Sequence, residues 1–216
     1  MSMTPSAQAE MGGTVAVQSD ARERGLSYSR DKPQGQVTIA YDGSAGWYGG
    51  GLLTRTEFAP NHSSTLARAY LGRVVPLVSG LDAEAGVQYN HYASITRYDY
   101  GEAYAGLLGE RWSARLHFSN DYYGNGRRSV YGELNFNWPL RPALMGIAHV
   151  GALNGPGGEY PSSHGNTRYD ARLGLGWQLQ PFELQLSWVT VSPGGPFTWT
   201  TERRRNTVVL GLSASF

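Results

Sequence analysis

Residues able to carry chemistry recur at alternate positions of segments rich in β-formers. His117-Phe118-Ser119-Asn120 sets an imidazole two residues from a hydroxyl. On a strand, residues i and i+2 share a face. This His and Ser would then lie side by side, as a general base and its nucleophile must. Glu133 or Asn135 is available as the third group that orients the imidazole. The other reading of the pair is a polar hydrogen-bond network with no reaction to perform. The same alternation puts Glu84, Glu102, Arg115, His117, Glu133, Asp170, Arg172 and Glu183 on the polar faces of their segments. Mixed charges of this kind either lock into salt bridges or line a wet passage and select what enters it. Arg offers forked donors to carboxylate or phosphate, but the acidic residues on that face are at least as numerous.

Other chemistries are absent. The five histidines, at 62, 91, 117, 149 and 164, are scattered without metal-ligand spacing. Cysteine does not occur, which removes thiolate ligands, thiol nucleophiles and disulfides. Gly43-Ser44-Ala45-Gly46 lacks the following Lys and helix of a phosphate loop. No metal and no cofactor is expected. A net charge of +1 argues against a general nucleic-acid binder.

The elements that position these residues read as strands. Val208, Leu210, Leu212, Ala214 and Phe216 alternate with Thr207, Gly211, Ser213 and Ser215, a period of two. Trp112, Ala114, Leu116 and Phe118 alternate with Ser113, Arg115, His117 and Ser119, and Tyr169, Ala171, Leu173 and Leu175 with Arg168, Asp170 and Arg172. The pattern predicts strands at 12–20, 35–42, 46–56, 64–75, 81–92, 99–108, 111–119, 128–138, 142–153, 167–179, 181–191 and 206–216. Facing is ambiguous in two of them. Glycines occupy both registers of 46–56, and Arg68 and Arg73 fall on opposite faces of 64–75, so that one of them must sit near an edge. The connections alternate between short links, such as 42–45, 76–80 and 139–141, and longer ones at 21–34, 57–63, 93–98, 120–127, 154–166 and 192–205.

Mean hydropathy is −0.39, and no apolar run is long enough for a membrane-spanning helix. Alternation with asymmetric loops instead predicts an all-β, antiparallel, up-and-down transmembrane barrel of about twelve strands. Trp47, Trp112, Trp138, Trp177, Phe182 and Phe216 fall near the short-link ends, and Tyr89, Tyr100, Phe118, Tyr169 and Trp188 near the long-loop ends. Two aromatic girdles are expected where rings meet lipid headgroups. A soluble barrel would turn its apolar face inward, and the charges counted above cannot fill a dry core. Residues 1–11, with Ala7-Gln8-Ala9, read as the tail of a secretory signal or a disordered N-terminus, and 12–216 as the barrel.

Val15-Ala16-Val17, Ser19-Asp20, Arg24-Gly25-Leu26-Ser27-Tyr28-Ser29 and Pro33, with Ser119-Asn120-Asp121-Tyr122-Tyr123-Gly124 further on, carry a family likeness. They resemble the TorF-type porin family of proteobacteria, the Gcw_chp conserved hypothetical outer-membrane proteins. Ala21 departs from the aromatic residue of that pattern, and Arg30 and Asp31 vary its loop. The resemblance implies an outer-membrane barrel of porin type and no catalytic residues.

The expected function is passive diffusion of small hydrophilic solutes across the bacterial outer membrane, through a narrow lumen lined by the eight polar-face residues named above. One alternative is a plugged structural or interaction barrel whose loops contact ligands or lipopolysaccharide. Another is a lipid-modifying hydrolase using His117 and Ser119, since outer-membrane phospholipases and lipid A deacylases carry a similar H-x-S-N run. Arg127, Arg128, Arg203, Arg204 and Arg205 are the candidate contacts for lipopolysaccharide phosphates, or else solvated loop ends. The strand ending in Phe216 is the expected handle for the barrel-assembly machinery.

Overall fold

Alternating apolar and polar side chains leave a strand with two unlike faces, and the chain satisfies both by closing on itself. The computed structural model describes residues 10–59, 62–155, 165–196 and 205–216. Its strands are β1 (Glu10–Gln18), β2 (Arg22–Glu23), β3 (Leu26–Ser27), β4 (Gln34–Asp42), β5 (Trp47–Ala59), β6 (His62–Val78), β7 (Leu81–Tyr92), β8 (Tyr100–Gly109), β9 (Trp112–Ser119), β10 (Ser129–Arg141), β11 (Leu144–Asn154), β12 (Thr167–Leu179), β13 (Phe182–Val191) and β14 (Asn206–Ser215). All but β2 and β3 form one closed antiparallel barrel of twelve strands, each beside its neighbour in sequence. Closure runs through β1, whose Thr14 lies opposite Ser215 of β14 on one side and Thr38 of β4 on the other. Phe216 extends that seam by exchanging backbone hydrogen bonds with Gly13. No sheet edge is left open in the barrel, so every strand has partners on both sides.

The polarity is inside out. Leu53, Leu71, Val87, Leu116, Val150, Leu173, Leu186 and Leu210 are each about half exposed on the outer wall, while Glu84, Glu102 and Asp170 are buried within. An apolar wall that encircles the molecule far exceeds the patches a soluble protein tolerates. It is the outer surface of a transmembrane barrel.

The predicted strands fall where expected, with differences at their ends. The links expected at 76–80 and 139–141 are shorter, because β6 and β10 continue through Pro76 and Pro139. Both prolines sit at a register shift, where the ladder has no need of the N–H that proline lacks. The two ambiguous facings resolve. Arg68 turns inward, with its Nε donating to Asn90 Oδ1 at 2.6 Å, whereas Arg73 turns outward at the short-turn end, its guanidinium 5.6 Å from the Trp47 ring. Gly50 faces inward, where a Cβ would collide with the Tyr70 hydroxyl and the Ile39 carbonyl.

The aromatic girdles need one correction. Trp47, Trp177 and Phe182 at the short-turn end, and Tyr89, Phe118, Tyr169 and Trp188 at the other, are exposed on the outer wall. Tyr100, expected among the latter, is only 2% exposed and points into the barrel. It sits two residues before Glu102, on the face that period two assigns to the lumen. Residues 1–9, with the Ala7-Gln8-Ala9 pattern, lie outside the described residues.

Candidate functional site

The largest departure from the sequence reading lies in the connection after β1. Residues 19–33 do not extend away from the barrel rim but fold into the lumen, where β2 and β3 pair as a small hairpin. Asp20 organises the segment. Its carboxylate accepts from Arg22 Nε at 2.5 Å, Ser27 Oγ at 2.6 Å and Ser29 Oγ at 3.0 Å. Arg22 also donates to the Gly25 carbonyl at 2.9 Å and to Asp31 at 3.0 Å. A short chain with its own ion pairs and turn bonds holds a shape that a flexible loop would not.

Each residue of the hairpin tip meets a different wall. Both Glu23 carboxylate oxygens accept from Arg68 of β6, at 2.7 and 2.6 Å. Arg24 donates to Glu102 of β8 at 2.7 Å, with the two side chains 6% and 1% exposed. The guanidinium of Arg24 also lies 4.4 Å from the ring centroid of Tyr131. Burial alone would lower the pKa of Arg24, but Glu102, Tyr122 and Tyr100 together outweigh it and hold the group above its usual value. Gly25, at φ +75°, packs against Asp170 of β12 and Val191 of β13, where an added Cβ would stand 2.7 and 2.8 Å from theirs. In the ring of strands β6 and β12 lie opposite one another. The hairpin therefore bridges the lumen from wall to wall.

Above it, at the long-loop end, aromatic rings close one side of the mouth. Tyr28 of the segment after β3, Phe58 of β5, Tyr92 of β7, Tyr100 of β8, and Tyr122 and Tyr123 in the turn after β9 form one buried cluster. Tyr123 is its centre, with ring centroids 4.7 Å from Tyr100 and 5.9 Å from Tyr92, and its hydroxyl bonds that of Tyr28. Burial pushes the Tyr123 phenol well above its usual pKa, so it stays neutral at physiological pH.

Below the hairpin tip a cavity of about 310 Å³ remains, between Arg24, Arg68, His117, Glu133, His149 and Arg172. Seven of the eight residues expected to face the lumen converge on this wall. Glu84 bonds Arg115 and accepts from the Tyr48 hydroxyl at 2.8 Å. Arg115 also lies 3.9 Å from Glu133. His117 stands between Glu102 and Glu133, at 3.8 and 3.7 Å. Asp170 lies 2.8 Å from His149 Nε2 and accepts from the Tyr131 hydroxyl at 3.3 Å. Arg172 points at the cavity, and its buried Nε has no hydrogen-bond partner. Glu183 stands apart toward the short-turn end, bonded at 2.7 Å by Gln178.

Ser119 is engaged away from His117. The Ser119 hydroxyl donates to the Gly101 carbonyl at 2.8 Å and accepts from the Asp121 N–H at 3.3 Å, so its lone pairs and proton serve the turn after β9. Arg127, Arg128 and Arg205 are exposed at the long-loop end, while Arg203 and Arg204 lie outside the described residues. Among the described residues, no three His, Asp or Glu side chains are gathered to hold a metal ion.

Sequence reasoning left out Glu23, Arg24, Arg68, Tyr131 and His149 as site residues. Period two does place Arg68, Tyr131 and His149 on inward positions, beside Asn90, Glu133 and Arg172 in the ladder. Nothing local marks Glu23 and Arg24, because their partners lie on β6 and β8.

Over residues 2–216 the chain matches the model of a family described as "Bacterial protein of unknown function (Gcw_chp)". No curated protein matches it. Among solved structures it is similar to the NanC porin, at 8% identity and a TM-score of 0.64, covering 95% of this chain and 99% of that one. The KdgM porin aligns with a TM-score of 0.60 at 10% identity, again over 95% and 99% of the two chains. KdgM porin in complex with disordered oligogalacturonate aligns with a TM-score of 0.55 at 11% identity, over 96% and 99%. At such identities the likeness is one of fold.

Proposed function

We propose that this chain, which belongs to the Gcw_chp family, is a TorF-type porin-like channel of the bacterial outer membrane. It would pass small hydrophilic solutes by passive diffusion, without energy input or covalent chemistry. One observation carries the reading: the inner wall is polar and charged while the outer wall is apolar all round. A ring of twelve strands is wider than the small barrels whose centres side chains alone fill. Keeping charges inside costs solvation unless water or opposite charges accompany them, and a wetted lumen supplies the water. The fold shared with the KdgM and NanC porins supports the same reading.

The hairpin makes the channel narrow. It crosses the lumen at the level of Arg24 and Glu102, so size exclusion would act there first. Glu84, Glu102, Arg115, His117, Glu133, Asp170, Arg172 and Glu183 then set the field that a solute meets. Arg127, Arg128, Arg203, Arg204 and Arg205 would face lipopolysaccharide phosphates, and the terminal Phe216, 78% exposed, would meet the assembly machinery.

Single-channel recording of the refolded protein in a planar bilayer tests the proposal. Discrete current steps are expected, of smaller conductance than those of wide trimeric porins. A plugged structural barrel is the second reading, favoured by the tyrosine cluster and the bridging hairpin. A silent bilayer, with no entry of monosaccharides into protein-loaded liposomes, would establish that reading in place of the channel.

A further inference from the structure

At the level of the hairpin the lumen is filled on one side. Along the arc from β6 to β12, Asn90, Tyr92, Glu102, Tyr131 and Leu153 are each at most 3% exposed, whereas Arg115, Glu133 and His149 stay partly exposed beside the cavity below. The opposite arc, β13, β14, β1 and β4, is built differently. Its inward positions include Gln185, Thr207, Ser213, Gln18, Gln36 and Thr38, all six partly exposed, with Glu183 opposite Ser213 at the short-turn end and Ser187, Val189 and Val191 buried toward the hairpin. The six form one continuous strip in the ladder. Gly211 lies opposite Gln185 and Gln18, and Ala16 lies opposite Ser213 and Gln36. Among the described residues none of the six side chains makes a hydrogen bond to another protein group, whereas the charged groups across the lumen are tied to one another. Inward amides and hydroxyls that are accessible and unbonded to protein hold water.

We infer that the solute path runs along this β13–β14–β1–β4 strip, and that the channel favours small uncharged, hydroxyl-rich solutes. A polyol can exchange its hydration for the amides of Gln185, Gln18 and Gln36 and the hydroxyls of Thr207, Ser213 and Thr38 at little net cost. The fixed charges beside these amides and hydroxyls, Glu183 opposite Ser213 and Asp42 at the end of β4, are acidic and lie toward the short-turn end, so the strip gives an anion no counter-charge. Most charges of the filled arc are paired with each other or with the hairpin, so they favour an ion less than free charges would, and Arg172 stands out with its buried Nε unpartnered. This inference rests on the channel reading above and adds to it a route and a solute class.

The chain has no cysteine, so a single introduced thiol can be addressed alone. Gln36→Cys and Thr207→Cys, made separately, are recorded in planar bilayers before and after a cationic methanethiosulfonate reagent. The parent is expected to conduct with a modest preference for potassium over chloride. Modification at either position should remove about half or more of the current in a narrow pore, and dithiothreitol should restore it. Thr38→Asp and Thr38→Lys should shift the reversal potential in opposite directions. In liposome swelling, a neutral monosaccharide should enter several times faster than a sulfonate of the same size. A conducting parent whose current ignores modification at both cysteines overturns the route, as does selectivity that follows Arg172→Gln and not Thr38. Equal entry of neutral and charged solutes overturns the solute class alone. A parent that neither conducts nor swells liposomes removes the channel reading itself.

Discussion

Replacing Arg24 by alanine should release the hairpin from the lumen wall. Arg24 Nη2 lies 2.7 Å from Glu102 Oε2, with the side chains 6% and 1% exposed. Removing one partner of a buried pair costs about 3–5 kcal/mol, because the other charge is stranded. Glu102 keeps its bond from Gln88 Nε2 at 2.7 Å, which places the expected cost at the lower end, about 3 kcal/mol. Loss of the stacking on Tyr131 adds to it. A change of about 3 kcal/mol raises the ratio of released to docked hairpin about a hundredfold. Limited trypsin digestion of the protein in detergent micelles reads that ratio. Arg22 and Arg30 remain as cleavage sites within the segment, while Lys32 is protected by Pro33, and nicking follows the open population when opening is fast relative to cleavage. The nicking rate, followed by mass spectrometry, should rise by about two decades at most, and channel conductance should rise with it. Adding Glu102→Gln to Arg24→Ala should recover about 2 kcal/mol, since the stranded charge is gone. Parental nicking by Arg24→Ala, or strictly additive effects in the double variant, would refute the ion pair as the anchor.

Gly25→Val should free the same hairpin by a separate route, because φ +75° disfavours a β-branched residue and the added atoms meet Asp170 and Val191; the trypsin assay should show nicking at least tenfold faster than the parent, a change of about 1.4 kcal/mol or more. Leu212→Arg places a charge on the outer wall and should lower stability by about 2–4 kcal/mol in urea titrations of vesicle-embedded protein, whereas Gln185→Arg, facing inward, should stay within about 1 kcal/mol of the parent. The reverse ranking would mean that the barrel is turned the other way. Glu84→Gln strips the ionised partner from Arg115 while keeping an acceptor for Tyr48, and should cost about 2 kcal/mol in the same titration. Ser119→Ala should leave phospholipid and lipid A hydrolysis at whatever level the parent shows, because its hydroxyl is bonded to Gly101 and Asp121; a specific loss of hydrolysis would restore the catalytic reading.

Strand number, order and facing were legible in the sequence because they depend on a local repeat. A side chain two residues on returns to the same face, so Leu210 and Leu212 declare one surface and Gly211 and Ser213 the other. Meander order then follows from short antiparallel connections. Lumenal placement of Glu84, Glu102, Arg115 and Asp170 came from the same rule. The contents of the lumen were not legible. Glu23 and Arg24 lie in a connection without periodicity, and what draws them inward is Arg68 and Glu102, 45 and 78 residues further along the chain. Tyr28 and Tyr123 meet across 95 residues. Charge pairing and ring packing of that reach depend on closure of the barrel, which brings β6, β8 and β12 around one axis. Alternation thus settled which side chains face inward, and only the closed tertiary structure decided which of them would be sealed by the hairpin and which left open to water.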